Sequence, residues 1–191
     1  MSIPSLISLN EPKYDVALGV YISLGSNQNY NNTPSKTLLL NALESLAIGG
    51  DQINSTSSFW SSDAWPKENG APQYINAVCC ISPYDTEPAQ LMQRLHDIEA
   101  KFGRVRDVHN RWLSRTLDLD LLDYNGLISK NHSFPVLPHP RIADRDFVLK
   151  PLLEISSHWC HPVTGTHANV LLDNLVSSGN THNCKLLDHE F

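Results

Sequence analysis

The segment Arg115-Thr-Leu-Asp118-Leu-Asp120-Leu-Leu holds the side chains best suited to chemistry in this chain. Read as a β-strand, it puts Asp118 and Asp120 on one face and Leu117, Leu119 and Leu121 on the other. The two aspartate Cα atoms would then lie roughly 7 Å apart. Carboxylates so placed repel one another unless a cation stands between them. Arg115 opens the segment, and Arg104, Arg106 and Arg111 precede it. Guanidinium forks match phosphate oxygens. Paired carboxylates match Mg²⁺, whose remaining ligands can be water and phosphate. The chemistry implied is a polyphosphate held by metal and arginine.

Backbone-built phosphate sites are absent from the sequence. Gly25-Ser26 does not begin a P-loop, and no G-x-G-x-x-G occurs. A nucleotide site would therefore be made from side chains and metal.

The length of 191 residues fits one domain with extensions, and 41% hydrophobic with 18% charged residues describes a globular chain. A net charge of -6 argues against generic nucleic-acid binding. Locally the sign reverses: Lys101, Arg104, Arg106, Arg111 and Arg115 face a single acid, Asp107, in that stretch. A basic patch in an acidic protein suits a small anion. Cys79, Cys80, Cys160 and Cys184 form no C-x-x-C, so free thiols in a reducing compartment are expected. There is no run of 18 apolar residues and no signal-peptide pattern, so no membrane span is expected and the cytoplasm is the default.

The elements that must position the acidic pair follow from period and punctuation. Leu18, Val20, Ile22 and Leu24 alternate as a strand that Gly25-Ser-Asn-Gln ends as a turn. Leu39, Leu40, Leu43, Leu46 and Ala47 mark a helix between Pro34-Ser35 and Gly49-Gly50. Residues 52–60 and 74–82 read as strands, separated by a polar loop over 61–73. Asp85 or Thr86 can cap a helix with Pro88 in its first turn and a stripe of Leu91, Leu95, Ile98 and Phe102. Gly103 ends it, and the arginine loop 104–114 leads into the Asp118 strand. The order β-α-β-β-α-β predicts an α+β, ferredoxin-like fold, an antiparallel sheet with helices on one face. A C-terminal extension follows, with a hairpin turn at Asp123–Gly126, an extended Pro135–Pro140, and short helices over 147–155 and 166–176. Residues 1–16 read as an N-terminal extension, 17–178 as the domain, and 179–191 as a poorly ordered tail.

The chain resembles the 6-hydroxymethyl-7,8-dihydropterin pyrophosphokinase family over roughly residues 18–165. The resemblance rests on Tyr21-Ile-Ser-Leu-Gly25-Ser26-Asn27, Ser57-Ser-Phe59, Tyr74-Ile-Asn76-Ala, Gly103-Arg-Val-Arg106, Arg115-Thr-Leu-Asp-Leu-Asp120, Pro138-His139 with Arg145, and Pro151-Leu-Leu-Glu-Ile155. It implies transfer of pyrophosphate from ATP to the pterin hydroxymethyl group, with release of AMP, in folate biosynthesis. By this resemblance Asp118 and Asp120 bind two Mg²⁺ ions, and Arg104 and Arg115 act on the phosphate chain. His96, Glu99, Arg106, Arg115, His139 and Arg145 surround ATP. Ser62, Trp65, Tyr74, Asn76 and Phe147 form the pterin pocket. A monomer with small-molecule partners, and neither nucleic acid nor membrane, is the matching expectation.

The residue types agree. Asn76 offers a donor and an acceptor to the edge of a pterin, and Tyr74 and Phe147 offer faces. The chain departs from the family pattern at Trp112-Leu113-Ser114-Arg115, with one extra residue before Trp112. It also departs at Asp63, at His96 where Gln is usual, and at Phe134 and Val136 where polar contacts are usual. Two other readings are weaker. His158-Trp-Cys160-His161 with His167, His182 and Cys184 fits no zinc spacing. A phosphohydrolase would need a group to activate water, and no His or Glu is obvious for that.

Overall fold

A computed structural model gives the fold and describes residues 18–64, 72–104, 115–130 and 133–187. The elements are β1 (Val20–Ser26), α1 (Ser35–Ile48), β2 (Gln52–Thr56), β3 (Trp60–Ser62), β4 (Tyr74–Ser82), α2 (Pro88–Lys101), β5 (Asp118–Tyr124), α3 (Asp146–Ile155), α4 (Ala168–Ser177) and β6 (Lys185–Leu186). The strands run β5-β1-β4-β3-β6 across one sheet, with β2 also on β4, and each pair is antiparallel. β1 lies between β4 and β5, as a β-α-β-β-α-β sheet requires.

The strand expected over 52–60 is two strands on one edge of β4. β2 pairs with Cys79–Ser82 and β3 with Tyr74–Asn76. The break falls where side chains occupy the backbone. Ser57 Oγ accepts the Val78 N–H at 3.0 Å, and the Glu154 carboxylate takes the Ser58 N–H, the Ser58 hydroxyl and Trp60 Nε1 at 2.7–3.1 Å. Gly25 and Ser26, expected as a turn, instead continue β1.

Alternation divides the sheet into two buried faces. Val20, Ile22, Leu24, Ala77, Cys79, Ile81, Leu119 and Leu121 pack against Leu39, Ala42 and Leu46 of α1 and Leu91, Leu95 and Ile98 of α2. Each fully buried leucine there contributes roughly 1.5–3 kcal/mol. The opposite face carries Tyr21, Val78 and Leu122 under Val148, Leu149 and Leu152 of α3, with Trp159 and Leu175 of α4. The two helices of the β-α-β-β-α-β core, α1 and α2, thus share one face as the sequence pattern predicts, and α3 and α4 of the C-terminal extension cover the other. β5 carries a bulge at Leu122, where the register passes from Ile22↔Leu121 to Tyr21↔Asp123.

Three further expectations meet a different outcome. The N-cap of α2 is Glu87 without a side-chain bond, because Asp85 is engaged by Arg94 at 2.8 Å instead. The Asn125-Gly126 turn has both φ angles positive (51° and 73°), yet among the described residues no strand returns from it. The Asn125 N–H donates to the Gly19 carbonyl at 2.9 Å. Gly103 ends α2 with φ 79°, and a Cβ there would run into the Tyr30 ring. The tail, expected to be poorly ordered, holds β6, whose Lys185 and Leu186 pair with Ser61 and Trp60.

Candidate active site

The second face of the sheet stays open at one end, beyond the first turn of α3. Ser23, Gly25, Tyr74, Asn76, Asp118 and Asp120 share that face by alternation. They line a single cleft with Arg115, Arg141, Arg145, Ser62, Asp63 and Phe147. In the sheet register Gly25 pairs with Asn76 on one side and Asp118 on the other. A Cβ on Gly25 would stand 3.6 Å from Asn76 Oδ1, 3.8 Å from Asp118 Cβ and 3.8 Å from Tyr74 Cδ1. The glycine thus forms a flat floor between two polar groups.

One half of the cleft is a carboxylate–cation network. Asp118 takes ion pairs from both Arg104 and Arg115. Burial pushes its pKa up, but the charges and hydrogen bonds of Arg115 and Arg104 outweigh that and hold it below the ordinary carboxylate range. Arg145 Nη1 donates to Asp120 Oδ2 at 2.9 Å, and His139 Nε2 lies 3.8 Å from the same oxygen. His139 Nδ1 accepts the Arg141 N–H at 3.2 Å, so the neutral ring carries its proton on Nε2, toward Asp120. Burial lowers the His139 pKa, and Arg145 and Arg141 add to that against the pull of Asp120. Asn27 holds the Arg115 backbone: its Oδ1 accepts the Arg115 N–H at 2.8 Å, and its own N–H donates to the Arg115 carbonyl at 3.1 Å.

The other half is a polar-edged aromatic slot. Asn76 Nδ2 donates to Ser62 Oγ at 2.9 Å and to the Trp60 carbonyl at 3.3 Å. A backbone carbonyl only accepts, which fixes the orientation of the amide. Both Asn76 donors are therefore committed, and its Oδ1 acceptor is what remains toward Gly25. Phe147 lies with its ring 5.7 Å from the Arg145 guanidinium.

Here the comparisons decide the lineage. Residues 21–157 match the sequence profile of the family described as 7,8-dihydro-6-hydroxymethylpterin-pyrophosphokinase (HPPK). The chain belongs to that family. It is 40% identical over 138 residues to the Haemophilus influenzae protein named 2-amino-4-hydroxy-6-hydroxymethyldihydropteridine pyrophosphokinase, covering 72% of this chain and 81% of that one. It is 38% identical over 146 residues to the folic acid synthesis protein fol1 of Pneumocystis carinii, covering 76% of this chain and 18% of that protein. It is 34% identical over 189 residues to the corresponding Dictyostelium discoideum protein, of which it covers 27%. The chain thus spans about a fifth to a quarter of those two longer relatives. A crystal structure of a Plasmodium falciparum HPPK-DHPS triple mutant shares the fold, with TM-score 0.65 and 14% identity over 91% of this chain and 48% of that one.

Set on this HPPK-family fold, the expected site residues fall into three groups. Ser62, Tyr74, Asn76, Phe147, Arg115, Arg145, Asp118 and Asp120 meet in the cleft, and Arg104 and His139 adjoin it through Asp118 and Asp120. Glu99 and His96 do not line it. Glu99 is buried, with its Oε1 accepting the Leu119 N–H at 2.8 Å and pairing with Arg104. His96 stands beside the exposed Phe134, ring centroids 6.2 Å apart. Trp65 and Arg106, with the Trp112-Leu113-Ser114 departure, lie outside the described residues. Sequence reasoning missed Arg141 and the floor made by Ser23 and Gly25. Asp63, noted only as a departure, is a lining residue. The signal for Arg141 was its place directly after Pro138-His139-Pro140.

Among the described residues no three or more His, Cys, Asp or Glu side chains form a metal cage. Two carboxylates on one strand face, with phosphate-matched arginines around them, are a donor set that fits Mg²⁺. That ion keeps several waters and takes one or two protein carboxylates with substrate phosphates. No helix is long and apolar enough to cross a membrane among the described residues.

Proposed function

We propose that the protein transfers pyrophosphate from ATP to 6-hydroxymethyl-7,8-dihydropterin, in folate biosynthesis. The observation that carries this is the single cleft in which Gly25 separates Asn76 from Asp118. A flat heterocycle and a polyphosphate chain bound there would meet at that glycine. Tyr74 and Phe147 offer the ring faces, and Asn76 Oδ1 offers an acceptor to its N–H edge.

The hydroxymethyl oxygen forms a bond to the β-phosphorus. The bond from the β-phosphorus to the oxygen bridging it to the α-phosphate breaks, and AMP leaves with that oxygen. The hydroxyl proton passes to solvent. Asp118 and Asp120 would hold two Mg²⁺ ions, which neutralise phosphate charge. Arg104 and Arg115 stand on Asp118 and are placed to move onto phosphate oxygens as charge builds on the leaving group. Arg145 and His139 hold Asp120 from the other side. Catalysis in this reading is positioning plus electrostatics, without a covalent intermediate. The unit is read as a cytoplasmic monomer acting on small molecules, which the net charge of -6 supports over nucleic-acid binding.

The test incubates the protein with Mg²⁺, ATP and the pterin and separates the nucleotides. AMP with pterin diphosphate is the expected result. ADP, or nucleotide loss indifferent to the pterin, overturns the proposal.

A further inference from the structure

The chain beyond α4 returns along the pterin side of the cleft. His182 is buried, and its Nδ1 lies 2.7 Å from Asp146 Oδ1. A carboxylate only accepts, so that nitrogen carries the proton. The His182 and Cys184 N–H groups also donate to Asp146, at 3.1 and 3.4 Å. Asp146 opens α3 between Arg145, which holds Asp120, and Phe147. The His182 ring then meets the Phe147 ring edge-on, with centroids 4.9 Å apart and planes at 84°. Its carbonyl accepts the Asp63 N–H at 2.8 Å. Further on, β6 pairs with β3, the strand that carries Ser62, and Lys150 Nζ donates to the Cys184 carbonyl at 2.7 Å.

These contacts converge on Phe147, Asp63 and the strand of Ser62, all at the cleft. They come from a segment beyond residue 157, where the family match ends. A strap serving stability alone has no need to end on two lining positions, Asp63 and Phe147, and on the strand beside a third. We propose that residues 180–187 are a working part of the site, with His182 as the positioning residue that sets the Phe147 ring and the Asp63 backbone. The inference rests on the pyrophosphokinase reading.

The test compares full-length wild type, His182→Ala and His182→Asn, varying pterin and ATP separately and recording thermal midpoints. The Asn amide keeps a donor for Asp146 but has no ring edge for Phe147. The energy of an edge-to-face pair that holds Phe147 in place for the pterin bounds the loss at about three- to tenfold in affinity. Both variants should raise the pterin KM by about that factor, with ATP KM and kcat within about twofold of wild type. The Asn variant should do so with its thermal midpoint largely kept. An unchanged pterin KM in the Asn variant, or pterin and ATP KM rising together, overturns the positioning role. Wild-type protein that makes no AMP removes the pyrophosphokinase reading and this inference with it. Wild-type turnover with an unmoved pterin KM removes this inference alone.

Discussion

Asn76 and Asp118 flank Gly25 in the sheet, each its cross-strand partner, so the two ends of the cleft are one residue apart on either side. The sheet register sets that spacing, and the missing side chain leaves the floor between them flat. A Cβ at Gly25 would meet only ordinary contacts at 3.6–3.8 Å, so alanine should fold. It would rise from the floor where the two substrates are proposed to meet. Gly25→Ala should keep its thermal midpoint and lose about tenfold or more in kcat/KM, since small misplacements at a reacting centre are costly. Equal kcat/KM in wild type and variant would show that the floor is not where the reaction occurs.

Asp118 separates metal chemistry from simple charge pairing. Its partners Arg104 and Arg115 can hold phosphate without it, and Arg104 also keeps Glu99. If Asp118 is a Mg²⁺ ligand, Asp118→Ala should lower kcat by at least about a hundredfold, because a metal contributes several kcal/mol to transition-state charge. Raising Mg²⁺ should not restore it. Steady-state rates across a Mg²⁺ titration decide this, and near-normal turnover would remove the metal assignment.

Resemblance puts Glu99 near the nucleotide, and its carboxylate is buried on the Leu119 N–H and Arg104. Its contribution is to anchor β5 to α2 and to orient Arg104. Glu99→Ala leaves a buried donor unmet, which costs about 1–3 kcal/mol. Chemical denaturation should register that loss, while ATP KM stays within about threefold of wild type, as for a residue that lends no uniform binding. A large rise in ATP KM with stability intact would return Glu99 to the nucleotide site.

The sequence carried the local periods faithfully. Val20, Ile22 and Leu24 alternate onto one core, Leu91, Leu95 and Ile98 stripe one helix, and Asp118 and Asp120 share a face. Period does not report partners that are distant in sequence. The split of β2 from β3 depends on Glu154, more than 90 residues away, binding Ser58 and Trp60. β6 is two exposed residues with no pattern of their own, docked because Asp146 and Lys150 hold the segment before them. The helices on the second face and the place of Arg141 follow from the same kind of long-range pairing. The chemistry-bearing types were readable because their spacing is short. Which of them reach the cleft was a tertiary matter.

Asp146 gives the pH dependence a definite sign. Burial pushes its pKa up, but the His182 ring and backbone donors outweigh that and hold it below the ordinary carboxylate range. A group whose folded pKa is depressed stabilises the fold above its unfolded pKa and loses that contribution as pH falls through the folded value. The ordinary carboxylate value is about 3.9, so the loss belongs to the region below about pH 4. Asp123 acts in the opposite sense. Burial dominates there and raises its pKa despite the Trp159 and Gly126 donors, so its contribution falls as pH rises through the folded value. Asp146→Asn removes the depressed carboxylate alone. It should be less stable than wild type at pH 7 by about 1–3 kcal/mol, since an amide nitrogen would then face backbone donors. Between pH 5 and about pH 3 the variant should lose less stability than wild type, because the proton-linked part is already gone. Urea midpoints measured across that range on both proteins provide the check. Parallel acid profiles would mean that folding does not depress the Asp146 pKa.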